Sequence, residues 1–268
     1  MIREELILWL KKTGIRLMQI LPSGARAHLR RIWLRFGFEE FTPRHMCSWY
    51  IESSDMHTRV VLCNLDFPGQ PAQIEQVSVT ITMWMSDGSV MGRVSRSVER
   101  NQTLIFEAKE LIGDKNGTTA HGLISLDVRS RYYASLRAYT QWYTESSVTG
   151  THEKNRFVGV PEGFYALSRI TADDGYNVRF AIVNLGSQTE QLRFCVQNHR
   201  GMSLHTSSPI PLRQRASLFV SLEELIPDLQ DFLEGHPGAI HIENFDAPLI
   251  VYYFREGKEP GTWIAQHL

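Results

Sequence analysis

The residues of this sequence that could do chemistry are its histidines and its paired acids. Ten histidines are scattered along the chain. The closest spacings are His199 with His205 and His236 with His241, and neither pair has a cysteine or a carboxylate at a usual zinc-ligand spacing. We therefore expect these histidines to lie on loops or strands with solvent or backbone partners. The sequence predicts no metal site and no cofactor.

Two pairs of adjacent acids, Asp173-Asp174 and Glu223-Glu224, could serve in acid–base catalysis or hold a cation. Adjacent residues point to opposite faces of a strand and diverge by about 100° on a helix, so neither pair converges on one atom. The phosphate-binding glycine loop and the motifs G-x-S-x-G, H-E-x-x-H and paired C-x-x-C do not occur. The sequence thus predicts no catalytic residues, and we expect a protein that is not an enzyme.

Glu110 and Glu224 lie in two similar nonapeptides, LIFEAKELI (Leu104–Ile112) and LFVSLEELI (Leu218–Ile226). Other segments recur in the same order at offsets of 113 to 120 residues, among them RVVLCNL and RFAIVNL, which both end in Asn-Leu. A colinear series of this kind indicates a tandem duplication. In each copy we expect an apolar strand that turns into a short helix, with a solvent-facing glutamate beside a buried Leu-Ile pair.

The period of the apolar residues becomes two from about residue 46 onward. The run VSVTITMW (Val77–Trp84) alternates Val79, Ile81 and Met83 with serine and threonine, as a half-buried strand does, and Asp87-Gly88 supplies a hairpin turn. Short strands separated by Gly, Asn and Asp turns are typical of antiparallel β-sandwiches. The predicted fold class is mainly β, with two tandem antiparallel β-sandwich domains preceded by an N-terminal amphipathic helical arm.

The length and composition suit this organisation. With 268 residues, 43% of them hydrophobic and 21% charged, the chain can form two domains of ordinary size. We place a basic helical arm at 1–41, the first sandwich at 42–145, a polar linker at 146–163 and the second sandwich at 164–268. The three cysteines are too few for a disulfide framework, so we expect a reducing compartment.

The N-terminal arm is strongly basic. Residues 1–36 carry a net charge of +6, against -7 for the remainder. Two amphipathic helices are expected here, which either bind an anionic membrane surface or pack on the first sandwich or on another subunit. Nucleic acid is not expected, because no recognition motif accompanies the charge. The candidate membrane- or partner-binding residues are Trp9, Lys11, Lys12, Arg16, Arg26, Arg30, Arg31, Trp33 and Arg35.

The apolar run at Leu6–Leu10 is too short for a secretory signal or a membrane span. We therefore expect a cytoplasmic protein, peripheral on the inner membrane face if the arm binds lipid.

Aromatic residues cluster late in each half of the chain. Buried, they would fill a sheet core; exposed, they would stack on sugar rings or form a subunit interface. The candidate ligand-binding or interface aromatics are Tyr132, Tyr133, Trp142, Tyr143, Tyr252 and Tyr253.

Each half follows one order, from a strand that ends in Asn, through an alternating strand and a Gly turn, to a strand that leads into a short helix. The second half ends with the segment DAPLIVYYFR (Asp246–Arg255). In this order, best through Asn184 and Gly201, each half resembles the bacterial β-sandwich family that includes the sensory rhodopsin transducers, where a last strand similarly follows an acidic-small-Pro step. The likeness covers about 75 residues of each half, and Arg131-Tyr132-Tyr133 replaces that step in the first. The resemblance implies a cytoplasmic, oligomeric, non-catalytic ligand-binding or signalling module.

These features together predict a non-enzymatic adaptor or ligand-binding protein that is recruited to a membrane surface by its basic N-terminal helices. Its expected partner is a second copy of itself or another protein. The alternative is a carbohydrate-binding accessory protein of polysaccharide metabolism.

Overall fold

The computed structural model describes residues 44–64, 76–113, 119–129, 136–152, 154–155, 165–170, 178–206, 208–243, 248–256 and 262–267. Within these ranges the chain forms antiparallel strands joined by turns, together with three short helices. The expected mainly β class is therefore confirmed. The predicted helical arm lies outside the described residues. Among the helices that are described, none has the length and apolar character needed to cross a membrane.

The first half of the described chain consists of two facing sheets. Its elements are β1 (Arg44–Glu52), β2 (His57–Asn64), β3 (Gln76–Met85), β4 (Val90–Glu99), β5 (Gln102–Glu107), α1 (Lys109–Ile112), β6 (Ala120–Arg129), β7 (Leu136–Tyr143), β8 (Val148–His152) and β9 (Lys154–Asn155). Sheet A has the order β4-β3-β6-β1-β9, and sheet B has the order β5-β2-β7-β8. Side chains from both sheets share one buried cluster, which includes Ile81 and Leu126 of sheet A and Leu62 and Phe106 of sheet B.

The second half repeats this layered arrangement. Its elements are β10 (Tyr165–Ile170), β11 (Val178–Asn184), β12 (Glu190–Gln197), β13 (Ser203–His205), β14 (Ile210–Leu212), β15 (Ser217–Ser221), α2 (Leu222–Leu225), α3 (Leu229–Leu233), β16 (Gly238–Glu243), β17 (Leu249–Glu256) and β18 (Trp263–His267). Sheet C has the order β10-β16-β12-β13, with β14 also paired to β12, and sheet D has the order β15-β11-β17-β18. Phe194 and Ile240 of sheet C meet Phe180 and Val251 of sheet D in a second buried cluster.

Apart from β9 in the first half and β14 in the second, the strand order of the two halves is the same. In sheet A the order β4-β3-β6-β1 corresponds strand by strand to β13-β12-β16-β10 in sheet C. The order β5-β2-β7-β8 in sheet B corresponds in the same way to β15-β11-β17-β18 in sheet D. Each segment of the sequence repeat therefore forms an element at the same place in its own half.

Strand β3 and the turn after it illustrate how local sequence sets the fold. The predicted inward residues Val79, Ile81 and Met83 are fully buried. The following turn contains Gly88, whose φ of +88° favours glycine. A Cβ at this position would lie 2.4 Å from the carbonyl oxygen of Gln214, so the turn also approaches the second half too closely for a side chain.

The two similar nonapeptides form corresponding helical turns. The Glu110 carboxylate accepts a hydrogen bond from the backbone N–H of Glu107 (3.0 Å). The Glu224 carboxylate accepts one from the backbone N–H of Ser221 (3.2 Å), as part of a capping box. Both glutamates are exposed, as expected. Of the expected buried Leu-Ile pair in each copy, the isoleucine is buried and the leucine is only half-buried. The glutamates therefore hold backbone donors at the start of each turn, which the sequence pattern did not reveal.

A buried asparagine joins the two sheets in each half. Asn64, the last residue of β2, donates from its side-chain amide to the carbonyl oxygen of Val98 in β4 (3.1 Å). Asn184, the last residue of β11, donates to the carbonyl oxygens of Leu212 in β14 (2.9 Å) and of Gln188 (2.7 Å). Both asparagines are at most 2% exposed. Their amides therefore satisfy carbonyl groups that would be costly to leave unpaired in the interior.

An aromatic cluster joins the two halves. Trp49, on the outer face of sheet A, has its ring centre 5.1 Å from that of Phe254 and 4.8 Å from that of Phe219, both on the outer face of sheet D. Trp142 lies 4.9 Å from Tyr252 and 5.1 Å from Phe254. Trp49, Trp142, Tyr252 and Phe254 are all buried. The first half therefore covers the outer face of sheet D.

Hydrogen bonds cross the same boundary. The hydroxyl groups of Ser48 and Tyr252 are 3.0 Å apart, and the backbone N–H of Ser217 donates to the carbonyl oxygen of Ser86 (2.9 Å). His121 Nδ1 lies 2.9 Å from the Ser217 hydroxyl. Burial lowers the pKa of His121 and so favours its neutral form. These polar groups at the boundary are thus paired across it, whereas the buried indole N–H groups of Trp49 and Trp142 have no hydrogen-bond partner there among the described residues.

The segment predicted to be a linker, residues 146–163, contains strands of the first half. Residues 148–152 form β8, which pairs with β7 in sheet B, and residues 154–155 form β9, which pairs with β1 in sheet A. The turn before β8 is closed by hydrogen bonds between Thr144 and Ser147. The first half therefore extends to residue 155 rather than ending at 145, because this turn directs the chain back along β7.

Replacing Asn184 by aspartate is expected to destabilise the fold. A carboxylate cannot donate hydrogen bonds to the two carbonyl oxygens that the amide now pairs, and burial penalises its charge. We expect the free energy of unfolding to fall by about 2–4 kcal/mol in urea denaturation. Asn101→Asp makes the same chemical change at an exposed turn and should alter this free energy by less than about 0.5 kcal/mol. Equal effects of the two substitutions would contradict a structural role for the buried amide.

Candidate functional site

The outer faces of sheets B and C remain open in the described part of the chain, and the outer face of sheet A is open along β3 and β4. The aromatic cluster covers the outer face of sheet D and uses part of the outer face of sheet A. The outer faces of sheets B and C, in contrast, carry exposed and half-buried side chains. These two faces are therefore the candidate functional surfaces.

The outer face of sheet B, here called the tyrosine face, has an apolar row across its centre. Val61 in β2 is directly opposite Ile105 in β5 on one side and Tyr139 in β7 on the other. Directly opposite residues of antiparallel strands share one face of a sheet. Ile105 is 51% exposed and Tyr139 is 41% exposed. The row thus leaves apolar surface exposed at the middle of this sheet face.

The polar side chains of the tyrosine face hold one another. Arg59 donates from Nε to the side-chain oxygen of Gln141 (2.7 Å), and its guanidinium lies 5.1 Å from the centre of the Tyr143 ring. The Tyr143 hydroxyl donates to the Glu107 carboxylate (2.7 Å). Burial and this hydrogen bond raise the pKa of Tyr143, so its hydroxyl stays protonated. These contacts fix the positions of the polar side chains on this face.

The outer face of sheet C carries four side chains, here called the cysteine–histidine cluster: Cys195, His205, His241 and Glu243. Cys195 in β12 is directly opposite His205 in β13 and also directly opposite His241 in β16. Glu243 follows His241 by two residues in β16, so both point to the same face. Three separate strands thus bring a thiol, two imidazoles and a carboxylate together.

The donor atoms of this cluster are close. Cys195 Sγ lies 3.8 Å from His205 Nε2, and His205 Nδ1 lies 3.8 Å from a Glu243 carboxylate oxygen. The other Glu243 oxygen lies 3.6 Å from His241 Nε2. Cys195 is 2% exposed, and burial raises the pKa of its thiol. The exposed His205 and the half-buried Glu243 keep the cluster accessible to a small ion from solvent.

Sequence spacing missed the cysteine–histidine cluster. Cys195 and Glu243 are far apart in the chain, and only the pairing of β12 with β13 and β16 brings them to His205. Alternation alone could have placed each residue on the outer face of its strand. The order of the strands and their register, which sequence periodicity does not supply, would also have been needed.

The aromatic residues predicted from the sequence to bind a ligand or a partner lie in different environments. Trp142, Tyr252 and Tyr253 are 1%, 2% and 7% exposed, so they cannot stack on a sugar ring, and that expectation is corrected. The first two join the halves, and Tyr253 packs in the core of the second half. Tyr143 lies on the tyrosine face. Outside the described residues lie Tyr132, Tyr133 and the arm positions Trp9, Lys11, Lys12, Arg16, Arg26, Arg30, Arg31, Trp33 and Arg35.

Comparisons with known proteins do not assign the chain to a family. It matches no protein-family model and no curated protein. Among solved structures it has a likeness to the "D341A D367A calcium binding mutant of Bacteroides uniformis beta-glucuronidase 2", with 9% sequence identity and a TM-score of 0.15. The likeness covers 83% of this chain and 26% of that one, so this chain spans about a quarter of the length of the glucuronidase. So low a TM-score does not establish a common fold.

Proposed function

We propose that this chain is a non-enzymatic adaptor that self-associates through the tyrosine face. The observation that carries the proposal is the exposure of Ile105 and Tyr139 in one row at the centre of a sheet face. Contiguous exposed apolar surface on a folded domain usually marks an interaction site, because it is otherwise unfavourable in water. Val148, which is opposite Tyr143 and 59% exposed, adds apolar surface at the edge of the same face.

A second copy of the chain fits this face. If two copies stack face to face about a two-fold axis that runs along the apolar row, Ile105, Val61 and Tyr139 each meet the same residue of the other copy. Both sheets can approach to about 10 Å, as the sheets of a sandwich do. The contact therefore buries the apolar row of both copies completely, using one self-complementary patch.

The polar residues on either side of the row tolerate this arrangement. The same two-fold axis places Arg59 over Cys63 of the partner subunit and Glu107 over Thr103 of the partner subunit, so like charges do not oppose each other. From strand spacing and rise, the face of one copy measures about 500 Å². Contact between two such faces buries about 1,000 Å² in total, which is at the small end of specific interfaces. We therefore propose a dissociable dimer with a Kd of about 1–100 μM.

We also propose that the two halves are β-sandwich domains that arose by internal duplication. Their common strand order and their paired asparagines support this. Asn101 and Arg215 give further support, because both have a positive φ (58° and 60°), which is uncommon outside glycine. Each lies shortly before the strand that follows, β5 or β15, and each donates its backbone N–H to the carbonyl oxygen of the asparagine of its half, Asn64 or Asn184.

The glutamates of the two similar nonapeptides have structural roles. Glu110 and Glu224 pair with backbone N–H groups at helix starts, and Glu110 also accepts a hydrogen bond from Arg96 (3.1 Å). Their carboxylates are thus used in maintaining local structure. This supports a binding role for the protein over an enzymatic one.

For the N-terminal arm we propose a membrane-recruiting role. Its apolar residues, such as Trp9 and Trp33, would enter the acyl boundary, while Lys11, Lys12 and Arg16 would meet anionic headgroups. Each cation near such a surface contributes about 1 kcal/mol. A dimer would carry two arms, which strengthens binding to one membrane by raising the effective concentration of the second arm.

Sedimentation equilibrium tests the dimer. The wild-type protein should change from monomer to dimer between about 1 μM and about 500 μM. Ile105→Lys places a charge at the centre of the proposed contact and should keep the protein monomeric throughout this range. Val90→Lys is the matched control, because Val90 is also 51% exposed but lies on sheet A, and it should leave the dimer intact. A wild-type protein that stays monomeric, or an Ile105→Lys variant that still dimerises, would refute the proposal.

Co-sedimentation with vesicles tests the arm. The full chain should bind vesicles that contain phosphatidylserine and should not bind neutral phosphatidylcholine vesicles, because its cations need anionic headgroups. A chain that starts at residue 42, before β1, should not bind either type. Replacing Lys11, Lys12 and Arg16 together by glutamine should weaken binding about 100-fold, as about 3 kcal/mol is lost. Equal binding by the full and shortened chains would show that the arm is not the membrane contact.

A further inference from the structure

We propose that Cys195, His205 and Glu243 form a zinc-binding site on the outer face of sheet C. One donor atom from each of these residues lies within 4.8 Å of the donor atoms of the other two. A thiolate sulfur, an imidazole nitrogen and a carboxylate oxygen are the donor types that Zn²⁺ binds in proteins. This site is independent of the tyrosine face, which belongs to the other half of the chain.

The spacing of the donor atoms suits tetrahedral coordination. With a Zn–S distance of about 2.3 Å and a Zn–N distance of about 2.1 Å, tetrahedral ligands place sulfur and nitrogen about 3.6 Å apart. The observed distance between Cys195 Sγ and His205 Nε2 is 3.8 Å. His205 presents Nε2 to the Cys195 thiol and Nδ1 to Glu243, so binding through Nε2 requires the Glu243 carboxylate to turn toward that nitrogen.

The charges of the three ligands balance those of the ion, while Arg193, directly opposite Glu243 on the same face, adds one positive charge beside the site. On binding, the Cys195 thiol loses its proton to the solvent, His205 binds as a neutral imidazole and Glu243 binds as a carboxylate. The two negative ligands then neutralise the two positive charges of the ion. Three protein ligands leave a fourth position, which water can occupy.

The surrounding structure holds these ligands in place. Each ligand lies on a different strand, and the register of β12 with β13 and β16 fixes their separation. The Cys195 side chain is almost fully buried within the sheet face, so its sulfur has little freedom. His241 Nε2 lies 3.6 Å from one Glu243 oxygen and limits the movement of that carboxylate. Ligands held in this way lose little conformational entropy on binding a metal.

A second pair of histidines provides a comparison within the same half. The ring centres of His199 and His236 lie 4.0 Å apart. Arg200, however, donates from Nε to His199 Nε2 (3.3 Å), so a positive charge faces the nitrogen that would bind a metal. This pair should not hold zinc tightly, and it offers a control for nonspecific binding to exposed histidine.

Competition with a fluorescent chelator measures the affinity of the full chain for Zn²⁺. The wild-type protein should bind one Zn²⁺, and Cys195→Ser should lower the affinity at least 100-fold. Removing a ligand should weaken binding more than removing a residue that only hydrogen-bonds to a ligand, which typically costs about 10- to 100-fold. Cys63→Ser makes the same change on the outer face of sheet B, and His199→Gln removes the other histidine pair. Both variants should bind as the wild type does.

Co²⁺ in place of Zn²⁺ identifies the ligands directly. A cobalt–thiolate charge-transfer band should appear in the wild type and in Cys63→Ser, and it should be absent in Cys195→Ser. If Cys195→Ser fails to fold, as judged by circular dichroism, Glu243→Gln replaces it, because this half-exposed side chain can change without disturbing the core. Glu243→Gln should lower the Zn²⁺ affinity and keep the charge-transfer band. Absence of the band from the wild type, or a Zn²⁺ affinity unchanged in both site variants, would overturn the proposal.

Discussion

The contact of Trp49 and Trp142 with the outer face of sheet D determines which surfaces this protein presents. Phe254 packs against both tryptophans. Tyr252 packs against Trp142, and its hydroxyl group is hydrogen-bonded to that of Ser48. Burial of several large aromatic side chains at one boundary contributes strongly to stability, because each removes a large apolar area from water. The two halves are therefore fixed to each other by a core of their own.

Because the two halves are fixed in this way, two surfaces with different chemistry stay exposed, one on each half. With sheet D covered, the apolar row of the tyrosine face remains open on the first half, and the cysteine–histidine cluster remains open on the second. Equivalent strands of the two halves thus have outer faces with different roles. The outer face of sheet B contacts a partner in the proposed dimer, whereas the outer face of sheet D, its counterpart in the second half, is used within the chain. A duplicated fold can diverge in this way, since the inner faces maintain each core while the outer faces are free to change.

The sequence predicted those features that depend on local pattern. The alternation around Ile81, the turn at Gly88 and the correspondence of Asn64 with Asn184 all follow from short segments and their repetition. It could not predict that Trp142 is buried, because its burial depends on the docking of one half against the other. It also could not predict the cysteine–histidine cluster, because strand register brings Cys195 to His205. The hairpin that places β8 in sheet B was mistaken for a linker because its sequence is polar.

Hydroxyl-radical footprinting of the dilute, monomeric protein tests the covered and open faces most directly. Oxidation of each aromatic side chain, measured by mass spectrometry, reports its exposure to solvent. Tyr139 should be oxidised rapidly, whereas Trp142 and Tyr252 should be strongly protected, although tryptophan is intrinsically at least as reactive as tyrosine. If Trp142 and Tyr252 were oxidised as rapidly as Tyr139, the two halves would not be joined by the aromatic cluster, and the outer face of sheet D would be open to solvent.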